Sequence, residues 1–318
     1  MMSCSKPVIL QLRYRGSRYF SAISLIGLAL LVAAVPARGA EKLKIVATFS
    51  ILGDMVAKVG GERVSVKALV GPDGDAHVYE PTPADAAELA TANVIFENGL
   101  NFEGWMSRLI AASGYHGLVR QAAKGVKPLK APSPHGEAAV DPHAWQSPFN
   151  ALIYVSNIRD GLCEADREGC EIYTRNASSY SAEIKKLGEE IARRVAAISK
   201  EQRKVITSHD AFGYFGAAFD IEFLAPLGVS TESEASGREV AHLIDQIRRE
   251  KVKALFVENI SDPRLIDQIS RETGVKQAGH LYSDALSKPD GPAASYIDMM
   301  RYNSALIIEA MAGTQAGR

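Results

Sequence analysis

Residues 168–199, EGCEIYTRNASSYSAEIKKLGEEIARRVAAIS, keep a helical period for about 30 residues. Tyr173, Ala177, Tyr180, Ile184, Leu187, Ile191 and Val195 recur three or four positions apart and form one apolar stripe. At 1.5 Å per residue that helix is a rod of ~45 Å. A rod of that length in the middle of 318 residues predicts a strut joining two bodies, not a flexible linker. A chain of this size is also too long for one small core.

The segments on either side repeat one rhythm. Before the rod, LKIVATF (43–49) is a continuous apolar run suited to a buried parallel strand, and SILGDMVAKVG (50–60) is an amphipathic helix stopped by two glycines. VSVKALV (64–70) and NVIFEN (93–98) read as further strands. Between them Thr82, Pro83 and Asp85 supply a cap, a first-turn proline and a third-position acid, so a helix starts there. After the rod, strands are expected over 203–208, 221–224, 253–258 and 275–283 and helices over 211–219, 238–251 and 262–274. Residues 124–142 are rich in Pro, Gly, Ala and Lys and read as an exposed loop. Strands alternating with helices mean parallel sheets. The expected fold is α/β: two lobes, each a mostly parallel sheet flanked by helices, joined by one long rigid helix. The expected boundaries are 1–39 for a cleaved signal peptide, 40–166 for the N-terminal lobe, 167–199 for the linking helix and 200–318 for the C-terminal lobe.

The signal peptide rests on Lys6, Arg13, Arg15 and Arg18, then the apolar run 21–35, then small residues at Ala37 and Gly39. That run is shorter than the ~20 residues that span a bilayer. Cys4 precedes the run instead of ending it, so the mature protein is expected in the periplasm, free and not a lipoprotein. In an exported protein the remaining cysteines, Cys163 and Cys170, are expected to bond. On one continuous helix they would stand ~10 Å apart along the axis, so the chain must turn between them, near Gly161 and Gly169. A net charge of −1 argues against a nucleic-acid partner.

Of the seven histidines, His116 and His242 read as structural or solvated, and His135 lies in the loose segment. Three others occupy suggestive places. His77 stands in GDAHVYEPTPAD, after a strand and before the capped helix, on a corner stiffened by Pro81 and Pro83. His143 stands in DPHAW, beside Pro142, and His209 directly follows the strand VITS. Asp284 ends the last strand, in LYSDAL. Open α/β sheets gather ligands beyond the carboxyl ends of their strands. Three imidazoles and a carboxylate would suit a divalent transition metal, zinc above all. Spacing alone leaves open whether residues so far apart converge, with His280 and Glu258 as competitors for the place of Asp284.

The stretches GPDGDAHVYEPTPAD, ENGLNFEGW, DPHAWQSP, YTRNASSYSAEI, SHDAFGYF and LYSDAL, in this order through nearly the whole mature chain, resemble the zinc/manganese substrate-binding proteins of bacterial ABC importers. The resemblance implies two α/β lobes joined by a rigid helix, with one metal ion between them held by His77, His143, His209 and Asp284. Manganese-binding members tend to carry a carboxylate at the third of these positions, where this chain has His209. Many zinc members carry a long His-rich insertion before the second; here 124–142 is short and holds only His135. The cargo expected is one Zn²⁺ per chain, with Mn²⁺ the alternative. The expected partner is an inner-membrane ABC permease, with a periplasmic metallochaperone a further candidate, and the protein is expected to be a monomer and not an enzyme. The metal-free cleft is expected to present neutral imidazoles. A metal-dependent hydrolase and an adhesin are the competing functions; a hydrolase would need an open metal position for water.

Overall fold

A computed structural model of the protein describes Gln11 and residues 41–131, 139–233, 235–252 and 254–313. Apart from Gln11, the expected signal peptide lies outside the described residues, and so does His135.

The first half runs β1 (Leu43–Phe49), α1 (Ser50–Gly60), β2 (Val64–Val70), α2 (Pro83–Thr91), β3 (Val94–Glu97), α3 (Met106–Ser113) and β4 (Leu118–Gln121). A two-residue antiparallel ladder follows, β5 (Lys130–Ala131) with β6 (Ala139–Val140). Next come α4 (Pro148–Ala165) and α5 (Cys170–Ala196). The second half is β7 (Lys204–Ile206), α6 (Gly213–Phe219), β8 (Glu222–Leu224), α7 (Gly237–Glu250), β9 (Ala254–Glu258), α8 (Arg264–Thr273), β10 (Gln277–Leu281) and α9 (Tyr296–Ala312).

Each half builds a four-stranded sheet in which every pairing is parallel. The strand orders β2-β1-β3-β4 and β8-β7-β9-β10 are the same topology used twice. Strands near the centre of each sheet read as unbroken apolar runs because helices cover both faces. Val46, Ala47 and Phe49 of β1 and all five residues of β9 are buried accordingly. The Thr82 cap is real: its hydroxyl accepts from the Asp85 N–H while the Asp85 carboxylate takes the Thr82 N–H at 2.7 Å.

The expected rod is α5, 27 residues and about 40 Å long. All seven stripe residues are buried. α5 contacts α1 and α4 of the first half and α6 and α9 of the second, so one helix is shared by elements of both halves. A side chain at Gly188 would meet Pro148 at 3.2 Å, which lets α4 and α5 lie close. Between them the chain turns at 166–169, and Cys163 and Cys170 are bonded across that turn. Closing so short a loop contributes roughly 2.5 kcal/mol on the loop-entropy estimate. Asp166 holds the turn by accepting from Gly169 N, Arg63 Nε and the Tyr173 hydroxyl.

Two features differ from the sequence expectation. The segment 124–142 is not simply an exposed loop: Val126 and Ala131 are buried, its ends pair as the β5–β6 ladder, and Asp141 and Pro142 are buried against the site. The helices α3, α4 and α9 and the strand β4 have no counterpart in the expected elements.

Candidate metal centre

Each candidate residue leaves a regular element and is then fixed by its own turn. His77 follows β2, in a loop where the Asp75 carboxylate accepts the His77 backbone N–H at 2.9 Å. The Trp105 indole donates to the Ala76 carbonyl at 2.8 Å. His143 follows β6, and Asp141 repeats the device, accepting the His143 N–H at 2.9 Å. His209 follows β7, its N–H donating to Glu258 at the end of β9, at 2.9 Å. Asp284 follows β10. The turns bearing His77, His209 and Asp284 therefore lie at the carboxyl ends of strands of the two parallel sheets, and the β5–β6 ladder brings His143 to them.

The four side chains converge. His143 Nε2 lies 3.3 Å from His77 Nε2 and 3.4 Å from His209 Nε2. Asp284 Oδ2 lies 3.3 Å from His77 Nε2 and 3.2 Å from His209 Nε2, and its Oδ1 is 3.5 Å from His143 Nε2. All four donor atoms fall within 4.8 Å of one another. His143, His209 and Asp284 are 0% exposed and His77 is 7% exposed. No well-aligned hydrogen bond from the described residues reaches either Asp284 oxygen. A buried carboxylate in that state is stabilised by a cation.

Of the other histidines, His116, His242 and His280 are exposed and stand outside this cluster. Glu258 is not a competitor for the place of Asp284. Its Oε2 lies 2.6 Å behind His209, on Nδ1. Asp141 Oδ1 stands likewise 2.8 Å from His143 Nδ1. Asp141 holds a proton on Nδ1 of His143, and Glu258 stands close enough behind His209 to favour the same tautomer, so that once each ring gives up its second proton the lone pair of Nε2 is aimed into the cluster. Neither role was anticipated for these two acids, although an acid two residues before a histidine occurs twice, in GDAH and in VDPH.

Supporting residues fix these acids in turn. Gly213 at the start of α6 has no room for a side chain, since a Cβ there would stand 2.4 Å from Asp141 Oδ2. Asn98 donates to the Pro142 carbonyl at 2.9 Å and takes the Tyr154 hydroxyl proton. The ENGLNFEGW loop reaches the site through three successive residues with positive φ, Gly99, Leu100 and Asn101. It brings the Phe102 ring to 4.8 Å from His77 and 6.0 Å from His143, an apolar wall that excludes water from the imidazoles. Behind that wall burial pushes the Glu103 carboxyl up to about 7, against hydrogen bonds from Thr48 and the backbone of Asn98.

The electrostatics favour protonated over neutral imidazoles in the metal-free cleft at His143 and His209. Burial alone would push the His143 imidazolium down, but Asp284 and Asp141 outweigh it and lift His143 to about 9. Burial acts the same way on His209, and Glu258 and Asp284 raise it well above the ordinary histidine range. Asp284 would be pushed up by burial, yet the imidazoles of His143 and His209 hold it well below the usual carboxylate range. The metal-free cleft therefore carries protons that an incoming cation must displace.

Replacing Asp141 by Asn tests the tautomer argument. The amide would offer a proton to Nδ1, moving the imidazole proton to Nε2, where it blocks a metal. Zinc affinity is expected to fall by roughly 10–100-fold, read by titration against a chelator of known affinity.

The family profile described as "ZnuA: Zinc-uptake complex component A periplasmic" matches residues 45–310. The chain belongs to this family. Its members are the substrate-binding receptors of metal-importing ABC transporters, and each works with a membrane permease. Among similar proteins, the iron-binding protein YfeA of Yersinia pestis is 34% identical over 278 residues, 87% of this chain and 89% of its own. The manganese-binding lipoprotein MntA of Halalkalibacterium halodurans is 35% identical over 264 residues, 83% and 86% of the two chains. Among solved structures, the periplasmic zinc-binding protein TroA of Treponema pallidum superposes with a TM-score of 0.80 at 28% identity, over 85% of this chain and 99% of its own. The Mn-bound periplasmic metal-binding protein of Candidatus Liberibacter asiaticus gives 0.77 at 30% identity, over 85% and 100%.

The ZnuA-family relatives also correct one expectation. MntA is named a lipoprotein, and so is SloC of Streptococcus mutans, 31% identical over 271 residues, 83% of this chain and 88% of its own. The reading "not a lipoprotein" does not stand, while a place outside the cytoplasm does. It failed because it judged membrane attachment from the position of Cys4 alone.

Proposed function

We propose that this receptor captures Zn²⁺ and delivers it to its ABC permease, holding one ion with His77, His143, His209 and Asp284. The spacing of the four donors carries this reading. Ligands at the corners of a tetrahedron around zinc, with bonds of ~2.0–2.2 Å, stand about 3.3–3.6 Å apart. The His143 Nε2 atom is 3.3 and 3.4 Å from those of His77 and His209, the two Asp284 oxygens lie 3.2–3.5 Å from the three Nε2 atoms, and all four donors fall within 4.8 Å. Three imidazoles also suit zinc better than Mn²⁺, which favours oxygen-rich sites. Asp284, Asp141 and Glu258 surround the cleft with negative charge, which draws cations in.

Four protein donors close the coordination shell. No position is left for the activated water of a hydrolase, so the protein acts as a receptor and not as an enzyme. It works as a monomer of two lobes, 40–166 and 200–318, with the helix 167–199 as a rigid link. That link restricts closure to local movement around the ion. Manganese and iron, the metals in the names of MntA and YfeA, are the rival cargoes.

Elemental analysis of the protein purified from its native compartment, followed by competition among zinc, manganese and ferrous iron, tests the proposal. One zinc per chain that the other two fail to displace is the expected result. Manganese or iron retained against zinc would overturn the choice of cargo, and a chain that takes up none of the three would overturn the metal site itself.

A further inference from the structure

The four ligands are held unequally. His143 and Asp284 are tied to each other across the two halves: the Trp145 indole and the Gln146 amide both donate to the Ser283 carbonyl, at 3.0 and 2.6 Å, and the Tyr296 hydroxyl donates to the Trp145 carbonyl at 2.8 Å. His209 is pinned by Glu258 at both its backbone N–H and its ring, and its segment bridges to Leu227. His77 differs. Among the described residues no carboxylate pairs with its Nδ1, and it is the one ligand of the four with any exposure.

The loop that carries His77 is anchored at its base by Asp73, whose N–H donates to the Leu286 carbonyl and whose carboxylate accepts from Asn259. Nearer the ligand the tie to the second half is Asp75. One of its oxygens accepts the His77 N–H at 2.9 Å, and the other accepts the Thr231 hydroxyl at 2.6 Å, across 156 positions of sequence. Asp75 and Thr231 border a cleft of about 470 Å³, also lined by Ser208, Leu227 and Ser261. This cleft abuts the segments bearing His77 and His209.

We propose that the Asp75–Thr231 hydrogen bond is a latch on the metal site: it sets the rate at which the ion leaves, with Asp75 as the positioning residue for His77. This rests on the reading of the four residues as a metal site. While Thr231 holds one oxygen, the other stays aimed at the His77 N–H and the loop stays closed. When Thr231 lets go, the carboxylate turns freely, and His77 leaves the ion first. A permease that shifts the segment around Thr231 would thereby open the site without disturbing the other three ligands.

The test compares Thr231→Val, which keeps the shape and loses the hydroxyl, with Thr231→Ser, which restores it. Both are loaded with Zn²⁺ and mixed in stopped flow with an excess of chelator, and association is timed separately. Loss of a hydrogen bond to a charged acceptor is expected to make dissociation from Thr231→Val about tenfold faster. Association stays within about twofold, and Thr231→Ser returns to the wild-type rate. The visible bands of the Co²⁺-loaded variants are expected to match wild type, since the ligand set is unchanged. Dissociation from Thr231→Val within twofold of wild type would overturn the latch, as would a Ser variant as fast as the Val variant. A wild-type protein that takes up none of Zn²⁺, Mn²⁺ and Fe²⁺ overturns the metal site and the latch with it, and one that holds only Mn²⁺ or Fe²⁺ is timed with that ion in the same way. A wild type that binds Zn²⁺ beside a Thr231→Val variant with unchanged release sinks the latch alone.

Discussion

Zinc affinity of His143→Ala is expected to fall about 10²–10³-fold, the largest loss of any single ligand substitution. A four-ligand zinc site binds with ~10–16 kcal/mol, so one ligand accounts for roughly a quarter of that. His143 is singled out by position. Its Nε2 lies within 3.5 Å of donor atoms on each of the other three residues, and the ring is fully buried. Its removal also leaves Asp141 buried without the imidazole it faces at 2.8 Å, a second penalty on the folded state. The binding loss must therefore be separated from a folding loss, by confirming a cooperative thermal transition before titrating against a chelator. His116→Ala, His242→Ala and His280→Ala, all at exposed positions, are expected to stay within about twofold of wild type. A His143→Ala protein that folds and still binds zinc like the parent would remove this histidine from the site.

The parts of the fold that could be read ahead are those whose burial is one-sided or complete. β1 and β9 are unbroken apolar runs, α1 is stopped by Gly60 and Gly61, and α5 shows its stripe because only one side of it is covered. α4 and α9 escaped for the opposite reason. The buried positions of α4, Ala151, Tyr154, Val155, Ile158 and Leu162, do form a stripe, but half-buried Leu152 and Ile153 and exposed Phe149 spread apolar residues around the helix and mask it. In α9 the buried set mixes Asn303 and Ser304 with Met299, Met300 and Ile307, so no apolar face stands out. Asn303 is buried because it serves Tyr282, donating to its carbonyl and accepting its N–H. That pairing exists only once the chain is folded. The metal cluster divides the same way. The chemistry of three imidazoles and a carboxylate can be read from residue types, but their convergence cannot, because His77, His143 and His209 are 66 positions apart in turn. The carboxylates behind the rings split as well. Asp141 is written locally, two residues before its histidine, whereas Glu258 reaches His209 from a neighbouring strand, 49 positions away.

Metal-free and metal-loaded protein are expected to respond to pH in opposite directions. In the metal-free fold Asp284 and Asp141 outweigh burial and raise His143 to about 9, and Glu258 with Asp284 raises His209 in the same sense. A histidine whose pKa is raised on folding contributes stability that is fully present below its unfolded value of ~6.5 and is lost as pH climbs through the folded value. The apo melting temperature is therefore expected to decline between about pH 7 and 9. Metal binding reverses the sign, because each ligand must give up its proton to the solvent before the ion can take its place. With His143 and His209 both protonated beforehand, two protons leave per ion bound. Zinc affinity is then expected to rise by as much as about 100-fold per pH unit where both imidazoles are protonated, and Asp284, already ionised, adds nothing to that slope. Calorimetric titration of zinc into the apo protein in two buffers of different ionisation enthalpy counts the protons directly, and thermal melts with and without zinc from pH 6 to 9 follow the diverging curves. A zinc affinity that stays flat over this range, or a metal-free protein that grows more stable as pH rises, would show that the buried carboxylates do not hold protons on these imidazoles.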